Sequence, residues 1–229
     1  LEEYLNFEDE VGIKCVFDAA HAFGSKLNNK IVGSGRGIYC FSFDGIKNIT
    51  CGEGGCVVSQ DDSVIQAVTT ARQLGITDEH KAKYSGERLW TFDVDTQGWR
   101  YHLSNINASI GLVQLSRFNK LALRRQEIAK RYDCLLKDRR DIFLFSNDYD
   151  QTVPHIYVVK ILGLKNRDQL RSDLRELNIE TGVHYFPNHL LTLYKNDNLR
   201  LPNVETLFLG ILTLPIHPDI NDNDVDYVV

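Results

Sequence analysis

Lys47 stands in a glycine-rich run, Cys-Phe-Ser-Phe-Asp-Gly-Ile-Lys-Asn-Ile-Thr-Cys-Gly-Glu-Gly-Gly over residues 40–55, flanked by Phe41, Phe43, Ile46 and Ile49. A lysine among apolar neighbours is desolvated, which favours its neutral form and makes it a better nucleophile towards carbonyl carbon. Upstream, Asp18 closes the apolar stretch Lys-Cys-Val-Phe of residues 14–17, and His21 follows three residues later. An amine that can form a Schiff base and a carboxylate that keeps a ring nitrogen protonated are what pyridoxal 5'-phosphate requires of a protein. Ser42, five residues before the lysine, offers a hydroxyl to a phosphate oxygen. The glycines beyond it let backbone approach a ligand closely.

Each of these residues also has a plain structural use. Lys47 alone reads as a loop lysine, Asp18 as a strand-end or capping carboxylate, His21 as a packed histidine and Ser42 as a backbone-bonding hydroxyl. Their combination in one short stretch favours chemistry instead. Glu53 satisfies backbone donors in a tight turn and stays outside the catalytic set. His184 and His189 raise the question of a metal pair, but Pro187 between them spoils helical facing and no third ligand follows, so no metal is expected. Arg88 and Arg100 carry guanidinium forks suited to a donor carboxylate, with Arg88 reading more simply as a solvated loop residue.

Two ordered motifs carry a resemblance: Asp-Ala-Ala-His-Ala-Phe-Gly-Ser at 18–25, and Phe-Ser-Phe-x-x-x-Lys-Asn-Ile-Thr-x-Gly-Glu-Gly-Gly at 41–55. They resemble the DegT/StrS family of nucleotide-sugar aminotransferases. Three later segments resemble it too: residues 98–115, the Gly-Val-His-Tyr-Phe-Pro-Asn-His of 182–189, and the Leu-Thr-Leu-Pro-Ile-His-Pro of 212–218. The resemblance implies an α/β chain of the fold type I pyridoxal-phosphate transferases. Residues 1–118 would be the C-terminal part of the large α/β/α cofactor domain, and 119–229 a small α+β domain.

It implies roles as well. Lys47 is the amine that carries the cofactor and shuttles protons, and Asp18 partners the pyridinium nitrogen. His21 contacts the ring or its phenolic oxygen, and Ser42 the phosphate. His184, Tyr185 and His189 face the sugar nucleotide. Arg100 and His102 lie where the family commonly has Asn, Lys or Arg, in a region that a neighbouring subunit brings near the phosphate. A homodimer with shared active sites follows from that. The implied reaction moves an amino group from glutamate, which leaves as 2-oxoglutarate, to a keto group of a nucleotide-linked deoxysugar. The Phe-Ser-Phe-x-x-x-Lys-Asn-Ile-Thr wording is closer to 4-keto than to 3-keto enzymes, although Asp44 stands where the 4-aminotransferase branch often has His. Bacterial polysaccharide or glycoconjugate synthesis is the implied setting.

Two other classes share the fold. A sugar 3-dehydratase relative resembles the family with histidine in place of the lysine, and Lys47 argues against it. A non-catalytic regulator could lose Asp18 or Lys47, and this chain keeps both.

At 229 residues the chain is long enough for one large or two small domains. Family members are longer, the chain opens on Leu1 and it contains no methionine, so the expectation is a C-terminal stretch. The alternative is that methionine positions are absent from the sequence. Hydrophobic residues at 43% and charged residues at 25% place it among ordinary globular proteins. A net charge of −5 without a basic run speaks against nucleic acid as partner. No apolar run approaches the roughly 18 residues of a membrane span. The odd number of cysteines, Cys15, Cys40, Cys51, Cys56 and Cys134, without zinc spacing, predicts reduced thiols in a cytoplasmic protein.

The elements that would position these groups alternate. A buried strand is predicted at 14–17, with further strands at 38–43 and 56–59, and a helix at 64–74 capped by residues 61–63 and ended by Gly75. Residues 77–96 are polar and aperiodic, as expected of a mobile stretch beside a site. Ser104 caps a helix with Ile106, Ile110, Val113 and Phe118 on one face, and a second helix runs over 120–136. Strands follow at 155–162, 178–183 and 212–216, and helices at 168–177 and 201–210. Asn221 or Asp222 caps a last helix.

Overall fold

The computed structural model describes residues 2–76, 92–196 and 198–229, and these form two units, Leu1–Phe118 and Asn119–Val229. The polar stretch at 77–91, with Arg88, lies outside the described residues.

In the first unit helix α1 (Glu2–Val11) leads to β1 (Val16–Asp18), a hairpin of β2 (Lys26–Leu27) and β3 (Lys30–Ile31), then β4 (Ile38–Ser42), β5 (Gly55–Ser59) and helix α2 (Asp62–Ala71). β1 runs parallel to β4 and β4 antiparallel to β5, in the order β1-β4-β5. Parallel register sets Asp18 beside Cys40, so the carboxyl ends of β1 and β4 share one edge of the sheet. That edge is where open α/β sheets bind ligands.

The strand predicted as buried at 14–17 is instead an edge strand that starts two residues later. Val16 is 63% exposed, because β1 has β4 as its sole sheet neighbour among the described residues. The core of this unit is Ala19, Tyr39 and Phe41, with Phe17, Phe23 and Phe43 packed on it. Phe23 sets its ring edge against Phe41, Phe43 and Phe118. Gly24 follows at φ +77, and a Cβ there would lie 2.3 Å from the Phe118 ring, so this turn needs glycine on both counts.

Helix α2 begins where its cap predicts, with the Asp61 carboxylate accepting from Ser63 N at 3.0 Å. It ends at Ala71, short of the predicted residue 74, because Leu74 and Gly75 both take positive φ. The Gly75 amide then returns to the Thr70 carbonyl.

Helix α3 (Asn105–Leu136) is one continuous helix of 32 residues where two were predicted. Asn119 and Lys120, at the predicted boundary, lie on its exposed side, and the helix runs on through both. Ser104 caps it, with Oγ accepting from Asn107 N at 3.1 Å. Of the predicted apolar face Phe118 is buried, whereas Ile106, Ile110 and Val113 are 74%, 45% and 57% exposed.

The second unit has an antiparallel sheet, order β6-β7-β8, made of β6 (Ile142–Leu144), β7 (Tyr157–Ile161) and β8 (Ile211–Leu214). Helices α4 (Arg167–Glu176), α5 (Pro202–Gly210) and α6 (Asp222–Val228) complete it. The C-terminal half of α3 supplies Ile128, Ala129, Tyr132 and Leu136 to a core shared with Tyr157, Val159, Leu212 and Val225. The strand predicted at 178–183 reduces to a single bridge, Gly182 to Thr213. Asn178 at φ +62 turns the chain there instead. Asn221 caps α6 in a reciprocal box with Asp224. Among the described residues no helix is long and apolar enough to cross a membrane.

Candidate active site

Asp18 is the last residue of β1, and its Oδ1 accepts from Ala20 N at 3.0 Å. That bond folds the chain into a turn, closed by Ala22 N on the Ala19 carbonyl, and leaves the second carboxylate oxygen without a bond among the described residues. The turn carries His21. Its Nε2 meets the Lys47 Nζ at 2.8 Å across 26 residues of sequence.

Lys47 is half-buried in the loop between β4 and β5. Its amide donates to the Asp44 carbonyl at 3.1 Å, while Asp44 Oδ1 accepts from Gly45 N at 2.7 Å. Of its apolar flanks Phe41 and Ile49 are buried, and Ile46 points outward at 60% exposure. The loop returns through Phe43 N on the Gly54 carbonyl and Cys51 N on the Phe43 carbonyl. Gly55 then begins β5 opposite Ser42, and a Cβ on it would sit 2.5 Å from the Phe41 carbonyl oxygen. Here glycine is required by close approach rather than by a turn.

Two asparagines that the sequence reading passed over hold this loop. The buried Asn48 donates from Nδ2 to the Phe23 carbonyl at 2.8 Å, tying the lysine loop to the turn behind His21. Asn107, in the first turn of α3, donates to the Glu53 carbonyl at 3.0 Å. Adjacency of Asn48 to Lys47 was the one available signal, and nothing marked Asn107. Replacing Asn48 with Ala strands the Phe23 carbonyl, and we expect a loss of about 1–3 kcal/mol in denaturant unfolding.

Ser42 ends β4, and its Oγ accepts from Asp44 N at 3.3 Å, which leaves its proton to give. Cys51, in the same loop, is no competing nucleophile. Burial first, and Glu53 second, push its thiol up from the ordinary range, and the sulfur donates to the Glu53 carbonyl. Arg100 and His102 are exposed, with no side-chain hydrogen bond or ion pair among the described residues. Backbone bonds of Trp99 and Tyr101 to the end of α2 hold their segment.

The second unit holds the other three candidates. His184 Nδ1 lies 2.8 Å from Thr213 Oγ1 on β8, and the half-exposed Tyr185 sets its ring against His184 edge to face. His189 is buried and its Nε2 contacts Glu205 Oε1 at 3.0 Å. The His189 hydrogen bond, and then the Leu201 amide, hold the Glu205 carboxyl below its ordinary value. A depressed carboxylate contributes stability above its unfolded value, near pH ~4.3, and loses it as pH falls through the folded value. The melting-temperature gap between wild type and Glu205→Gln should therefore be widest near neutrality and close in acid. Among the described residues no cluster of three or more His, Cys, Asp or Glu is placed to hold a metal ion.

The whole chain, residues 1–229, matches the DegT/DnrJ/EryC1/StrS aminotransferase family. The chain belongs to that family. It is 31% identical over 237 residues to the uncharacterized protein MJ1066 of Methanocaldococcus jannaschii, covering 100% of this chain and 61% of that protein. Spr1654 from Streptococcus pneumoniae, in its PLP form, matches with a TM-score of 0.84 at 29% identity, over 97% of this chain and 57% of its own. Helicobacter pylori PseC, an aminotransferase involved in the biosynthesis of pseudoaminic acid, matches with a TM-score of 0.87 at 25% identity, over 99% and 60%. The chain thus spans about three-fifths of the length of these relatives. The fold is that of the fold type I pyridoxal-phosphate enzymes, the cofactor of the DegT/DnrJ/EryC1/StrS family is pyridoxal 5'-phosphate, and Spr1654 has been solved in PLP and PMP forms.

The donor set fits that group. A half-buried amine, a carboxylate with one uncommitted oxygen and a hydroxyl with its proton free all stand on the carboxyl side of β1 and β4.

Proposed function

We propose that this chain carries most of the active site of an aminotransferase that moves the amino group of glutamate to a keto group of a nucleotide-linked deoxysugar, with the C4 ketone as the preferred position. Residues 1–118 contribute part of the large cofactor domain and 119–229 the small domain. The observation that carries the reading is the hydrogen bond between Lys47 and His21, on a turn that begins at Asp18.

When bound, pyridoxal phosphate supplies an electron sink that lets a hydrogen α to nitrogen leave as a proton. The uncommitted Asp18 oxygen keeps the ring nitrogen protonated, since a carboxylate favours the charged form of a neighbouring base. The Ser42 hydroxyl donates to a phosphate oxygen, and His21 lies alongside the ring. Lys47 Nζ takes the proton released from the α-carbon of glutamate, and later returns one to the former keto carbon of the sugar. His184, Tyr185 and His189 face the sugar nucleotide, with the partly exposed Glu205 held against His189 Nε2. The exposed apolar face of α3, with Ile106, Ile110 and Val113, supports a homodimer, and Arg100 and His102 would then reach the neighbouring subunit's phosphate site. A cytoplasmic setting and polysaccharide or glycoconjugate synthesis complete the reading, with PseC as a similar protein.

Product analysis with 3-keto and 4-keto nucleotide sugars, glutamate and the full-length protein tests it. A 4-amino product confirms the position, a 3-amino product moves it, and no amination of any sugar refutes the substrate class.

A further inference from the structure

We propose that His21 is the proton acceptor for Lys47 when that amine captures the cofactor's aldehyde, an inference that rests on the cofactor reading above. Its basis is the 2.8 Å separation of Lys47 Nζ and His21 Nε2. With Lys47 as an ammonium, which has protons to give and no lone pair to offer, Nζ donates and Nε2 accepts. The same ammonium cannot attack a carbonyl, and the residue that already accepts its hydrogen bond is the one placed to relieve it of a proton.

The step balances. A proton passes from Nζ to Nε2, and the freed lone pair forms the bond to the aldehyde carbon. The imidazolium gives its proton to the carbonyl oxygen, a second Nζ proton follows, and the oxygen leaves as water. One positive charge stays on nitrogen, the ring ends neutral, and nothing is oxidised or reduced. An imidazole suits this task because its ordinary titration lies close to neutral pH.

Two hydrogen bonds of the fold anchor the pair. His21 sits on the turn fixed by the Asp18 carboxylate, and Lys47 on a loop fixed to the carbonyl of Phe23 by Asn48. The other ionisable groups of that turn and loop are the carboxylates Asp18, Asp44 and Glu53, which tolerate a cation on either partner, and the buried Cys51 thiol, which its upward shift keeps neutral. A charged His21 would lose its role as acceptor and set two cations face to face, so acid should slow capture beyond the effect of protonating the lysine alone.

The test uses the full-length protein freed of cofactor, mixed with pyridoxal phosphate between pH 5.5 and 8.5, quenched with borohydride and mapped by peptide mass for label on Lys47. Wild-type capture should slow as pH falls across this range more steeply than the lysine alone requires. His21→Gln, which keeps an acceptor but cannot titrate, should lose that extra pH dependence and capture about 10²-fold more slowly at pH 7.5. A His21→Gln protein that captures at the wild-type rate with the wild-type profile overturns the inference and leaves the cofactor reading standing. A folded wild type that never acquires label on Lys47 overturns the cofactor reading, and this inference with it. Circular dichroism checks folding, and His21→Asn, with the same expectations, replaces a variant that fails it.

Discussion

Lys47→Ala should lower the rate of 2-oxoglutarate release from glutamate by at least about 10⁴-fold, a barrier increase of roughly 5 kcal/mol. The size follows from what the side chain is asked to do. In the proposed reaction it holds the cofactor covalently and moves the proton at the reacting carbon, and alanine offers neither function. The loop itself should survive, because its fold depends on Asn48, on the Phe43 and Cys51 backbone bonds and on Gly55, none of which uses the lysine amine. Unchanged circular dichroism with lost turnover, followed in a coupled assay for 2-oxoglutarate, is therefore the expected pattern. Turnover within tenfold of wild type would remove Lys47 from the chemistry.

Asp18→Asn is the second large effect. The amide side chain keeps the shape and can still accept from Ala20 N, so the turn that carries His21 stays in place. What disappears is the negative charge proposed to face the ring nitrogen, and with it the electrostatic support for charge that develops in the transition state. We expect a fall of about 10²–10³-fold in the glutamate half-reaction, the scale of losing one well-placed stabilising group. The glutamate concentration dependence should change far less than the rate, since Asp18 is not proposed to touch the donor. A variant within a few-fold of wild type would mean that another group faces the nitrogen.

Much of the frame was legible because local signals and packing agree in it. Asp61 and Asn221 mark helix starts that the structure keeps. The alternation around β4 and β7 matches the buried positions Tyr39, Phe41, Tyr157 and Val159. The misreadings have physical causes. At 14–17 an apolar composition was taken for burial, yet the strand stands at an edge. Near 120 a second helix was expected to begin, although the backbone ladder of α3 runs through unbroken. At 178–183 a strand was expected, but the chain there makes a single bridge, from Gly182 to Thr213. Helix α1 and strand β6 carried too little pattern to be read at all.

For the site, residue types and order were legible while contacts were not. Nothing in the spacing of His21 and Lys47 says that their nitrogens meet, since parallel pairing of β1 with β4 and the bond from Asn48 to Phe23 bring them together. Likewise nothing in the sequence says that the buried His189 meets Glu205.

The most direct test of the central claim is the visible absorption spectrum of the full-length protein with pyridoxal phosphate, before and after glutamate, beside Lys47→Ala. The account predicts a lysine-dependent cofactor band in wild type that glutamate converts to the pyridoxamine form, with that band missing in the variant. A folded wild type whose spectrum matches that of Lys47→Ala, unmoved by glutamate, would contradict it.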